Sequence, residues 1–114
     1  MNAPLFASLS SLQSIATAHQ KGRKKVFLHA ADTGSSLMQF AYGELADGEA
    51  VESHVHPTME ECFFFLSGRG IFYIGEDQFL LEKDVFIHVP ANIPHWLANA
   101  GNEPLTFVYF GVAV

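Results

Sequence analysis

Gly48-Glu49-Ala50-Val51-Glu52-Ser53-His54-Val55-His56-Pro57-Thr58-Met59-Glu60-Glu61-Cys62-Phe63-Phe64-Phe65-Leu66-Ser67-Gly68 is the stretch on which the rest of the chain turns. Two imidazoles and two carboxylates stand directly before an apolar run. Ionisable groups beside a core are costly unless they are paired, hydrogen-bonded or bound to a metal, so the stretch is either an exposed turn or a ligand cluster. On a strand successive side chains alternate between faces, which places His54 and His56 together with Val55 opposite. After a turn around Pro57, Thr58 and Met59, the next strand puts Glu61, Phe63 and Phe65 on one face. Glu60, Cys62, Phe64 and Leu66 take the other, so only one of the two glutamates can share the histidine face.

The surrounding composition describes an ordered, apolar protein. The chain has 114 residues, 49% hydrophobic, with 11 Phe, 1 Trp and only 16% charged residues, which suits one compact domain and argues against disorder. A formal charge of −6 excludes a general phosphate-binding surface, so no nucleic-acid partner is expected. Four of the six basic residues, Lys21, Arg23, Lys24 and Lys25, fall in Lys-Gly-Arg-Lys-Lys, which reads as a solvated turn before a strand, with a small anion-binding patch as the alternative. Cys62 is the single cysteine, so no intramolecular disulfide or multi-cysteine metal site is possible. With neither a leader pattern nor a bilayer-spanning apolar run, the expectation is a cytoplasmic protein with no membrane partner.

Along the chain, Leu5, Leu9, Leu12 and Ile15 or Ala16 recur near helical spacing, which predicts one amphipathic helix over 5–18. From Val26 onward, short β-prone runs alternate with Gly, Asp and Asn turns. They predict strands at 26–29, 37–45, 50–56, 61–66, 70–74, 78–81, 85–89, 95–99 and 105–112. No long amphipathic helix separates them, so the connections are hairpins and Greek-key crossings in an all-β fold. The expected division is an N-terminal helix and basic turn at 1–25 and one β-barrel domain at 26–114.

By itself His-x-His is ordinary on a half-exposed strand. A carboxylate on the next strand and a third imidazole, His95, at the end of a turn leading into another strand complete a donor set suited to a first-row divalent metal. The stretch 48–68 also fits, at every fixed position, the first motif of the cupin family, G-x5-H-x-H-x4-E-x6-G. The second cupin motif, G-x5-P-x-G-x2-H-x3-N, is met by Pro90, His95 and Asn99, with Asn92 and Asp84 standing where the family has glycine. Asn92 tolerates a left-handed backbone better than most residues, and Asp84 less readily.

This resemblance covers about residues 36–112 and implies a double-stranded β-helix, the jelly-roll barrel. It implies that His54, His56, Glu61 and His95 hold one divalent metal (Fe, Mn, Ni or Zn) inside the barrel. Glu61 is preferred over Glu60 by motif spacing and strand parity, with Glu60 as the substitute. Glu60 and His88 are the candidate proton-handling groups beside the ligands. Phe40, Tyr42, Phe63, Phe65 and Trp96 are expected to wall the pocket, Met38 sharing the Phe40 face. Few basic residues fall in those strands, so a small, partly apolar or aromatic chelator is expected rather than a sugar phosphate.

Similarity to small cupins points first to a metal-dependent, dioxygenase-like enzyme. An isomerase or lyase using the metal as Lewis acid, with Glu60 or His88 as base, and a binding module that turns nothing over are the alternatives. Cys62 has the opposite parity to Glu61 and reads as a structural thiol, and His29 and His19 carry no chemistry. Phe64 and Leu66 face away from the barrel, and such strands pair small cupins, so a homodimer is expected.

Overall fold

The computed structural model describes residues 3–17 and 21–114. Ten strands occur among them: β1 (Ile15–Ala16), β2 (Arg23–His29), β3 (Leu37–Leu45), β4 (Ala50–His54), β5 (Met59–Ser67), β6 (Gly70–Ile74), β7 (Asp77–Leu81), β8 (Phe86–Val89), β9 (His95–Asn99) and β10 (Leu105–Ala113). They form a six-stranded sheet in the order β1-β2-β3-β10-β5-β8 and a four-stranded sheet in the order β4-β9-β6-β7. Every pairing is antiparallel. β4 and β5 follow each other in sequence but lie in different sheets, so the His-x-His strand and the glutamate strand face each other across the sandwich.

Alternation builds the core. Phe63 and Phe65 of β5, Phe107 of β10, Phe72 of β6, Leu97 of β9 and Val89 of β8 form one buried cluster drawn from both sheets. Phe65 and Phe72 are both fully buried, and their rings meet edge to face at 6.4 Å. Sheet-on-sheet packing of this kind removes the largest apolar side chains from water, each contributing on the order of 2 kcal/mol.

On β3 two of the buried, core-facing residues, Ala41 and Gly43, are small, and the strand ends on the large buried Leu45. Ala41 lies opposite Tyr109 and Gly43 opposite Phe107, and a Cβ at Gly43 would overlap the Phe107 ring. Large rings on β10 are therefore accommodated by small residues on β3. Phe40 and Tyr42 occupy the other face, where Phe40 packs edge to face on Phe27 at 5.3 Å and Phe110 at 6.1 Å.

The helix predicted at 5–18 does not form over the described residues; its last residue, Ala18, lies outside them, as does His19. One turn of 3-10 helix, Leu9–Ser11, is present, followed by β1, whose Ile15 and Ala16 pair with Lys24 and Arg23. Serines explain the difference. The Ser11 hydroxyl donates to the Ser8 carbonyl at 2.8 Å, an alternative to helical hydrogen bonds that serine readily offers. Leu5 and Phe6 are left exposed, at 62% and 98%, so no apolar face is buried to stabilise a helix this short.

Residues 21–25 also differ from the expected solvated turn. Strand β2 begins at Arg23, and Lys24 pairs with Gly43 of β3. Three residues are thus added to the predicted strand 26–29, and they bring two cations onto the wall of the sandwich.

Candidate metal centre and its cavity

His54 ends β4 and His95 opens β9, and the two are direct partners in the register. Their rings lie 4.3 Å apart, centre to centre. His56 sits in the following turn, and its carbonyl accepts the Asn92 N–H at 3.0 Å. The loop before β9 thus holds the backbone that carries His56. Glu61 projects from β5 in the opposite sheet, with Oε1 at 3.2 Å from Nε2 of both His56 and His95.

One donor atom from each of His54, His56, Glu61 and His95 lies within 4.8 Å of the others. Ligands at about 2.1 Å on opposite sides of a metal stand about 4.2 Å apart, so the cluster needs only tenths of an ångström of contraction. The ring orientations agree. Nδ1 of His95 donates to the Ile93 carbonyl at 2.9 Å, and Nδ1 of His54 donates to the Glu52 carbonyl at 2.8 Å. Anchoring Nδ1 in this way turns Nε2 toward the centre, the usual outer partner of a ligating imidazole. Three imidazoles and a carboxylate fit a divalent first-row metal.

His95 and Glu61 are buried, at 2% and 8% exposure, whereas His54 and His56 are half-buried, so one side of the cluster is open. Burial pulls the His95 pKa down, but the Glu61 carboxylate and the Ile93 carbonyl push it up and leave it above 6.5. Both His95 nitrogens face acceptors, which is the arrangement of an imidazolium.

The cluster opens into a cavity of about 200 Å³, smaller than pockets for drug-sized ligands. Met59, Phe63, Leu97, Phe107 and Tyr109 form its apolar wall. Phe63 and Tyr109 stack at 5.3 Å, 7° from parallel. Arg23, Lys24, Gln39 and Glu44 supply a polar wall. The Lys24 ammonium donates to Gln39 Oε1 at 2.7 Å, and the Arg23 guanidinium donates to the hydroxyl and carbonyl of Ser14 at 3.0 and 2.7 Å. Burial, then the Glu61 charge, pushes the Tyr109 pKa up to about 12 against a hydrogen bond with Gln39, so its hydroxyl stays protonated.

Of the aromatic residues expected at the pocket, Phe63 lines it. Phe65 lies deeper in the core. Phe40 and Tyr42 are on the outer face of β3, and Trp96 stacks on Tyr73 at 4.0 Å. Tyr42 is pushed above its usual pKa by burial and the nearby Glu44 charge. Glu60 and His88 pair with each other at 2.7 Å, each over one-third exposed, on the outward face of β5 and β8. Cys62 shares that face, its thiol raised by burial and by Glu60 and Glu61. Sequence reasoning missed Phe107, Tyr109, Gln39 and Lys24. The alternation Leu105, Phe107, Tyr109 was the available signal, but nothing local tied it to the histidines.

Against known proteins, a family profile described as "Cupin domain" matches residues 41–111. The tetracenomycin polyketide synthase protein TcmJ of Streptomyces glaucescens is 27% identical over 90% of this chain and 70% of its own. Acireductone dioxygenase of Cronobacter sakazakii is 40% identical over 54% of this chain, which spans only 35% of that enzyme. A Thermotoga maritima protein described as a predicted oxalate decarboxylase superposes with a TM-score of 0.87 at 19% identity, covering 96% of this chain and all 100% of its own. The cupin domain of Schizosaccharomyces pombe Cnp3 gives 0.82 at 17% identity, covering 96% and 74%. These two structures bear on the fold alone.

Proposed function

The chain belongs to the cupin family, and we propose that it is a mononuclear metal protein acting on a small molecule, with dioxygenase-like chemistry. The observation that carries the proposal is the convergence of His54, His56, Glu61 and His95 from both sheets at the mouth of a cavity. A divalent metal there would supply Lewis acidity and, where redox-active, electrons for reaction with O₂. The protein supplies the rest. Nδ1 anchors on Glu52 and Ile93 fix two imidazoles, Glu61 lowers the site's charge, and Phe63, Phe107 and Tyr109 exclude water from one side.

A relative named acireductone dioxygenase supports oxygen chemistry over isomerisation. So does the pairing of Glu60 with His88 on the outer face, which leaves neither beside the cluster as a base. The test is metal analysis of protein purified without chelator, then oxygen uptake on adding enediol and catechol chelators to the Fe(II)-loaded form. About one metal per chain and metal-dependent uptake are expected. No metal at all would overturn the proposal, and tight binding without uptake would reduce it to a binding role.

The proposal includes a cytoplasmic homodimer. A lone free thiol suits a reducing compartment, and among the described residues no helix is long and apolar enough to cross a membrane. Phe64 and Phe86 are register partners on the outer face of the six-stranded sheet, exposed at 40% and 59%, with Leu66 at 37%. An apolar patch of this kind favours pairing of two copies.

A further inference from the structure

The cavity has a second polar element that the metal cluster does not use. Lys24 and Gln39 line it from β2 and β3, and Tyr109 lines it from β10. Gln39, Gly111 and Glu61 stand in one row across β3, β10 and β5. Gly111 carries no side chain, and the Met59 thioether packs over it, so the cavity reaches from Gln39 to the Glu61 end of the cluster past Met59 and Tyr109, which both line it. Two strand spacings separate the ends of that row, about 10 Å between backbones.

Within this wall the polar groups are chained. Lys24 donates to Gln39 Oε1, which leaves the Gln39 amide NH₂ as a further donor on the same wall. The Tyr109 hydroxyl, protonated, is a donor as well. An ammonium has three donors, and Gln39 takes one. Buried apolar neighbours make each of these donors worth more than in water. Glu44 also lines the cavity, yet Lys24 and Arg23 outnumber it, and Glu61 is committed to the cluster.

We propose that Lys24, Gln39 and Tyr109 form an anion-recognition arm, so that the ligand is a small oxygen chelator carrying a separate anionic group, a carboxylate or enolate, directed at Lys24. The proposal rests on the metal-centre reading for the chelating end and adds the charge at the other end. Its size follows from the cavity of about 200 Å³, which admits a single small ring or a short chain. Lys24 is a specificity-determining residue in this scheme and takes no part in holding the metal.

The test compares protocatechuate with 4-methylcatechol, which share the chelating hydroxyls and differ in the carboxylate. Binding is measured by calorimetry on Ni(II)-loaded protein and by NMR titration on metal-free protein. Wild type is expected to prefer protocatechuate by about 10- to 100-fold, the range of one charge-assisted hydrogen bond. Lys24→Met is expected to erase that preference while leaving Ni(II) affinity unchanged, and Lys24→Arg to keep most of it. Equal affinity of the wild type for both probes overturns the inference whatever the variants do, as does a preference that survives Lys24→Met. Failure of Ni(II) to bind overturns the metal-centre reading alone, because the preference is then still expected in the metal-free titration.

Discussion

Asp84 and Asn92 occupy left-handed backbone, at φ of 72° and 66°, at the two positions where the cupin motif carries glycine. Asn92 uses its N–H to hold the His56 carbonyl, and Asp84 donates its N–H to the Phe65 carbonyl at 2.8 Å. Both contacts require the turn, and a side chain in this conformation costs about 1 to 2 kcal/mol, less for Asn and Asp than for others. Asp84→Gly is therefore expected to stabilise the protein by about 0.5–1 kcal/mol, measured by urea unfolding. A loss of stability would mean that the Asp84 carboxylate makes a compensating contact. At the metal cluster, His56 is half-buried and lies outside the hydrophobic core. His56→Ala is expected to weaken metal binding by at least about 100-fold with a melting temperature of the metal-free protein close to wild type. Parental metal affinity in that variant would remove His56 from the ligand set.

At the scale of elements, buried Asn99 joins the end of β9 to two other segments. Its amide donates to the Leu45 carbonyl at 3.1 Å and to the Glu103 carbonyl at 2.8 Å, and its oxygen accepts the Gly101 N–H at 2.9 Å. It thereby fixes β3 and the turn into β10 relative to the strand that carries His95. Asn99→Ala leaves two carbonyls and one N–H unmatched in a buried site and is expected to cost about 2–4 kcal/mol, read from denaturant midpoints at constant slope. An effect below about 0.5 kcal/mol would show that water replaces the amide. The edge strand β1 is attached differently. Arg23 clasps Ser14 from the cavity rim, so the N-terminal segment closes the side of the sandwich as extended chain.

For the molecule as a whole, a proton and the proposed metal would compete for the same atoms. The His95 pKa is raised above 6.5 in the folded state, so in metal-free protein its contribution to stability is fully present below that value. It is lost as pH rises through the folded-state pKa. Metal needs the neutral imidazole, so its binding expels that proton and is opposed at low pH. The rise in melting temperature on adding Ni(II) is expected to be larger at about pH 8 than at about pH 6. A rise that ignores pH would mean that no such proton is displaced. For the proposed dimer, whose interface would use the apolar outer face, Phe64→Glu should shift the protein from dimer to monomer in sedimentation experiments while the isolated fold persists. Wild-type protein that sediments as a monomer throughout would remove the dimer.

Local periodicity carried the sequence a long way here. The strands β3, β6 and β9 match the predicted 37–45, 70–74 and 95–99, and the parity that set Glu61 apart from Glu60 follows from alternation along one strand. Those inferences succeed because a strand's two-residue period and a motif's spacing are properties of contiguous chain. Alternation names the residues that share a face but not the face that turns inward. Phe40 and Tyr42 make the more apolar face of β3, yet Ala41 and Gly43 lie opposite the Tyr109 and Phe107 rings of β10, because the large side chains of β10 and β5 fill the interior and leave room there only for small neighbours. The chain 21–25 looked like a solvated turn for a similar reason. Only the pairing of Lys24 with Gly43 across β2 and β3 brings that ammonium to the cavity, and pairing between strands about 20 residues apart is decided by the packing of the whole sandwich, not by the residues on either side of Lys24.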